Sequence, residues 1–181
     1  MAFIKTKQEK KYNDSYSKKN IQEIHKHAEQ LGIETKPFDI FGYISHVKEI
    51  VYWEDYFDDD ISGSIEYSLS GEYNIVVNKY HSLSRRRFTL AHEFGHFVLH
   101  KDVLKKEGKI EDYVLFRRKN NFSMIESEAN YFAAELLMPK ILFDEEIKKG
   151  NNDIKKLAEV FEVSYSAIQY RAFKLGYLKE F

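Results

Sequence analysis

The chain has 181 residues, 43% hydrophobic and 15% aromatic, with a formal net charge of -1 and no cysteine. Its length supports one substantial core in one compact unit, and its balanced charge excludes a global field that would draw nucleic acid or an anionic membrane. The lack of cysteine excludes disulfides and thiolate metal ligands, so any bound metal must be held by histidine and carboxylate.

Met1 to Lys11 carries no apolar run of signal-peptide length, and no later run approaches the ~18 residues of a membrane span, which points to a cytoplasmic protein with no membrane partner. Residues 1–19 are polar, lysine-rich and expected to be flexible. Residues 20–150 carry the core, and 151–181 read as a helical pair packed on it.

Ile21, Ile24, Ala28 and Leu31 recur at helical spacing up to Gly32, which predicts a first amphipathic helix with His25 and His27 on its surface. Pro37 opens a second helix, with Phe41, Ile44 and Val47 facing inward. Ile50 to Trp53 reads as a strand, and the acidic run from Glu54 to Asp60 as a solvated loop. Ile65, Tyr67 and Leu69 alternate with polar residues, Gly71 turns the chain, and Tyr73 to Asn78 returns as a strand, predicting an antiparallel hairpin. That hairpin either offers a free edge to an extended peptide or simply covers the core.

The next stretch, Arg87-Phe88-Thr89-Leu90-Ala91-His92-Glu93-Phe94-Gly95-His96-Phe97-Val98-Leu99-His100, reads as one helix holding His-Glu-x-x-His. On a helix His92 and His96 project from one face a turn apart and can close on a single ion, while Glu93, rotated by about 100°, reaches the same place without being a ligand. Imidazole nitrogen suits zinc, and a zinc with three protein ligands keeps a position for water. Apolar residues cover most of the helix, so the histidines and the carboxylate should be buried and need a shared partner. Gly95 costs a helix interior roughly 1 kcal/mol relative to Ala, which implies that another backbone or a substrate passes close to it. Ser84 is the expected cap, and Arg85, Arg86 and Arg87 oppose the helix dipole and are expected to pair with the acidic run. His100 drifts about 80° off the face of His92 and is not assigned to the metal.

Residues 101–122 read as an irregular charged connection anchored by Ile110 and by Tyr113 to Phe116. In the helical stretch from Ser123 to Pro139, Glu126, Ala129, Asn130, Ala133 and Leu137 share one stripe whose small residues let it pack tightly on the preceding helix. Glu126 then faces the metal as the third ligand, and Asn130 can orient His92 or Glu126. Two alternatives stand beside this: Ser123 and Glu126 also form a capping box, and Glu128 is a competing ligand that points about 160° away.

Pro139 opens another helix, kept soluble by Asp144, Glu145 and Glu146, and Gly150 ends it. Asp153 caps a helix over 154–161 and Ser164 one over 165–175. This order is helix-turn-helix-like, but position 162 is Glu where such turns commonly carry Gly, and only Gln169, Arg171 and Lys174 are candidate DNA readers. The pair is read as a packing or partner-recognition element, and direct DNA binding is not expected.

The motifs Phe88-Thr89-Leu90-Ala91-His92-Glu93-Phe94-Gly95-His96 and Glu126-x-x-Ala129-Asn130-x-Phe132-Ala133-Ala134-x-Leu136-Leu137-Met138-Pro139 resemble those of the ImmA/IrrE zinc metallopeptidases. The resemblance implies an α+β, mainly helical zincin-like single domain with a small antiparallel sheet before the His-Glu-x-x-His helix and a C-terminal helical pair. It also implies His92, His96 and Glu126 as zinc ligands, Glu93 as general base, and a helix-turn-helix repressor or regulator of phage or mobile-element type as substrate. Some members of that family carry a DNA-binding domain before the peptidase or a sensor domain after it, and this chain length leaves room for neither. A zinc-stabilised regulator that binds a repressor or DNA without cutting is the alternative function. Tyr113 and His100 are candidate oxyanion donors.

Overall fold

In chain order the computed structural model, which describes residues 14–113 and 120–180, runs α1 (Asp14–Gln30), α2 (Ile40–Ile44), β1 (Ile50–Asp55), β2 (Ile61–Tyr67), β3 (Tyr73–Asn78), α3 (Leu83–Leu99), α4 (Lys101–Glu107), β4 (Lys109–Tyr113), α5 (Asn120–Leu137), α6 (Lys140–Lys148), α7 (Ile154–Phe161) and α8 (Tyr165–Lys174). Residues 1–13 of the segment expected to be flexible lie outside the described residues, and α1 already begins at Asp14. The class is α+β, as expected. Among the described residues no helix is long and apolar enough to cross a membrane.

The sheet is mixed, with strand order β1-β3-β2-β4, and adds one parallel pair to the antiparallel sheet expected. β2 and β3 form the expected antiparallel hairpin, with Ile65 opposite Ile75. β1, however, pairs parallel to β3, Tyr52 opposite Ile75, and β4 adds antiparallel to β2. Local alternation gives each strand but not its neighbour, and two of these three pairings join strands that are not consecutive. Neither hairpin strand is an edge; the edges are β1 and β4.

One face of β2 and β3 packs on α3, whose other side packs on α5. The α3–α5 approach is set at Gly95, where an added Cβ would lie 3.0 Å from the Phe132 ring and 3.3 Å from the Ala129 backbone. The glycine signal is thus answered by the backbone of α5. Leu90, Ala91 and Phe94 of α3, Phe132, Ala133 and Leu136 of α5, and Ile65, Ile75 and Val77 of the sheet form one buried core with Ile21, Ile24 and Ala28 of α1.

That core continues into the C-terminal pair through Leu157, Phe161, Val163, Ile168 and Ala172. Asp153 and Ser164 cap α7 and α8 as expected, accepting from the Lys155 and Ala167 N–H groups. The turn between them places Glu162 at φ 50°, a left-handed conformation that costs a residue with a Cβ roughly 1–2 kcal/mol. Arg87 of α3 holds that turn. Its Nε donates to the Glu162 carbonyl at 3.1 Å, its Nη1 lies 3.3 Å from the Glu162 carboxylate, and its Nη2 donates to the Phe38 carbonyl at 3.0 Å.

Several local expectations are corrected. α2 starts at Ile40 behind an Asp39 cap, not at Pro37. The cap of α3 is Ser82, not Ser84. The 101–122 connection contains α4 and β4. His25 Nε2 donates to the Leu136 carbonyl at 2.9 Å and its ring meets that of Phe38 at 4.8 Å, tilted by 53°, so it is a half-buried tie between α1 and the end of α5. Since a carbonyl only accepts, His25 Nε2 carries the proton in that bond. Glu146 is buried, receiving hydrogen bonds from Lys36, Lys149 and Asn151. Arg171 is also buried, paired with Glu135 and donating to the Met138 carbonyl at 3.0 Å, so it is no DNA reader.

Candidate metal centre

α3 begins on the Ser82 cap, where its hydroxyl accepts from Arg85 N–H at 3.4 Å. Of the three arginines in its first turn, Arg86 meets the acidic run, 2.6 Å from Glu54, while Arg85 reaches Ser62 and Arg87 turns to the C-terminal pair. From Thr89 to Phe97 the helix is buried throughout. His92 is 2% exposed, and Glu93 and His96 are fully buried.

His92 and His96 project from one face of α3 toward Glu126 on α5. His92 Nε2 lies 3.1 Å from Glu126 Oε2, His96 Nε2 lies 3.2 Å from Glu126 Oε1, and the two Nε2 atoms are 3.1 Å apart. Among the described residues these three form a group that could hold a metal ion. A tetrahedral zinc with nitrogen and oxygen bonds of about 2.0–2.2 Å has ligand–ligand edges of about 3.3 Å, so the trio has the right size.

The outward nitrogens show why the inner ones suit a cation. His92 Nδ1 lies 3.1 Å from Asn130 Oδ1, an acceptor that would hold the proton of a neutral His92 on Nδ1 when a cation takes the Nε2 lone pair. His96 Nδ1 lies 3.0 Å from His100 Nδ1, and His100 Nε2 lies 3.0 Å from Glu128 Oε2. Burial lowers His96 to about 4, so it is neutral at pH 7. Burial alone would raise the Glu126 carboxyl, but its contacts with His92 and His96 outweigh burial and lower it to about 2. Neutral imidazoles and an ionised carboxylate are the forms that bind metal, and positive charge between them is what this donor set calls for.

Glu93 follows His92 on α3 and faces β2. A Cβ at Gly63 would lie 2.8 Å from the Val76 carbonyl, 2.7 Å from Thr89 and 3.6 Å from Glu93 Oε1, so only glycine lets the strand pass here. The β2–β4 register shifts between Ile61 and Ser64, a bulge that brings Gly63 against Glu93. Sequence reading passed over Gly63, although a glycine within an alternating stretch marks such an approach.

Glu126 meets the histidines, whereas Glu128 meets His100. α5 begins at Asn120, so Ser123 lies in its body and is not a cap. Both ring nitrogens of His100 are engaged, which removes it as an oxyanion donor. The Tyr113 side chain lies outside the described residues. Gln169 and Lys174 are on α8.

The sequence profile of the IrrE N-terminal-like domain, Peptidase_M78, matches residues 28–173. The chain belongs to this family. Peptidase_M78 is a metallopeptidase-type family, and the match spans the sheet, α3, α5 and most of the C-terminal pair. Among solved structures, the Peptidase_M78 chain is similar to a Mycobacterium tuberculosis transcriptional regulator, at 17% identity and a TM-score of 0.60. The likeness covers 85% of this chain and 46% of that one, so the fold is shared over less than half of the regulator. No protein with a curated description matches the chain.

Proposed function

We propose that the protein is a zinc-dependent endopeptidase of the cytoplasm that cleaves a helix-turn-helix transcriptional repressor or regulator. The observation that carries this reading is the convergence of His92, His96 and Glu126, with the buried Glu93 next to His92 on α3. The family supports a peptidase, and the transcriptional regulator among the structural relatives favours a regulator as target.

His92 and His96 would hold zinc through Nε2 and Glu126 through its carboxylate. Zinc bound there supplies a Lewis acid for the peptide carbonyl and for water. Glu93 accepts a proton from the attacking water on its carboxylate and gives it to the nitrogen of the departing amine. β4 is the sheet edge nearest Glu93, because it pairs with β2 at the Gly63 bulge, and an extended substrate would add to it through main-chain hydrogen bonds. With Arg171 buried and the pair packed on the core, we read the C-terminal pair as a packing or partner-recognition element rather than a DNA reader.

The test is to reconstitute the purified protein with zinc and incubate it with purified helix-turn-helix repressors. Wild type should give a discrete cut, lost on chelation and lost in Glu93→Gln, which should keep its zinc. Equal cleavage by Glu93→Gln would overturn the mechanism, and a zinc-loaded protein that binds but never cuts would favour the non-proteolytic regulator.

A further inference from the structure

His96 is fully buried, and the group behind it is another histidine, whose ring can present either a proton or a lone pair. His100 therefore decides nothing by itself. Glu128, on the far side of His100, is the counterweight to Glu126 on the inner side of His96. A carboxylate accepts, so at 3.0 Å from Glu128 Oε2 the His100 proton sits on Nε2. His100 Nδ1 is then a bare acceptor, and the 3.0 Å contact to His96 Nδ1 forms only if His96 carries its own proton there. The reversed arrangement would set a bare His100 Nε2 against the Glu128 carboxylate and turn the His96 proton inward, onto Nε2, where Glu126 Oε1 at 3.2 Å accepts it, so Glu128 and Glu126 pull the two-ring relay in opposite directions. That tautomer cannot bind metal.

We infer that Glu128 and His100 are a positioning pair that locks His96 in the Nδ1–H tautomer and so presents its Nε2 lone pair beside His92 and Glu126. The inference rests on the proposed metal reading of that trio. The two ligand histidines are oriented differently. His92 is set by the exposed amide of Asn130, one bond away, whereas His96 is out of reach of solvent and is set through a second ring. Glu128 lies near the surface of α5, with its side chain 30% exposed, so it can be changed without opening the core.

The experiment reads the His96 tautomer from long-range proton–nitrogen NMR spectra of the metal-free protein, and zinc affinity by competition with a chelator. Wild type should show His96 protonated on Nδ1. Glu128→Ala should mix the two tautomers and weaken zinc by about 10–100-fold, and His100→Leu should do the same. In His100→Asn the amide oxygen, like Nδ1, is bonded to Cγ and accepts from His96 without help. That variant should keep the tautomer and hold zinc within about threefold of wild type, with no further loss when Glu128→Ala is added. A His96 tautomer unchanged in Glu128→Ala would overturn the inference, as would His100→Leu outperforming His100→Asn, the mark of a packing role. The NMR reading needs no metal: failure of wild type to bind zinc would sink the metal reading alone, and a wrong tautomer with tight zinc would sink this one alone.

Discussion

Two regions bury charge in this protein, and they handle it in opposite ways. At the C-terminal pair, Arg87 and Arg171 direct their donors onto carbonyls and carboxylates of the same chain, and the arrangement closes on itself. Between α3 and α5, two imidazole nitrogens and two carboxylate oxygens converge at 3.1–3.2 Å in a group that could hold a metal ion. The first region is a clamp whose polar groups serve folding. In the second, on the proposed reading, they would serve an ion, aimed by Asn130 and the His100–Glu128 pair.

The difference can be broken at its strong end. Arg171→Ala leaves Glu135 as a buried carboxylate with its guanidinium partner gone, and should destabilise the fold by about 3–5 kcal/mol in urea unfolding. The folded fraction should keep wild-type zinc affinity; loss of zinc with little loss of stability would erase the distinction. Asn130→Ala probes the other region. Asn130 is exposed and bonded to His92, so the substitution should cost under about 0.5 kcal/mol in folding but weaken zinc about tenfold by chelator competition. An equal cost in both measurements would mean that the site amide is structural after all.

The smallest expected effect lies at Glu146. Hydrogen bonds from Lys149, Lys36 and Asn151 hold its carboxyl at about 2, below its ordinary 4.5. Because the folded value is the lower one, the stabilisation is complete above about pH 4.5 and fades as pH falls toward 2. Two partly exposed lysines limit it to below about 1 kcal/mol. Glu146→Gln should therefore be slightly less stable than wild type at pH 7 and equal to it near pH 2, measured by urea unfolding; a gap that widens in acid would contradict the assignment.

Much of the candidate site was legible because it lies on two helices. The spacing of His92 and His96, and the stripe from Glu126 to Leu137, are statements about one period, and Gly95 told of the close neighbour before the neighbour was known. His100 was set aside by angle measured from His92, yet helical side chains lean toward the N-terminus, so the ring of His100 meets that of His96 a turn earlier. Arg171 also had a signal: with Ile168, Ala172 and Leu175 it completes the inward stripe of α8, and its charge hid the geometry. The parallel pairing of β1 with β3 had none, since partner choice between distant strands is fixed by the whole sheet.

On the proposed metal reading Gly95 is, finally, a gauge of ion size. By omitting one methyl group it brings α5 close enough for Glu126 to stand 3.1–3.2 Å from both histidines, a span that suits a small tetrahedral cation and is too narrow and too rich in nitrogen for calcium, which takes six to eight oxygens at about 2.3–2.6 Å. Selectivity among cations would thereby be written into a residue that touches none of them.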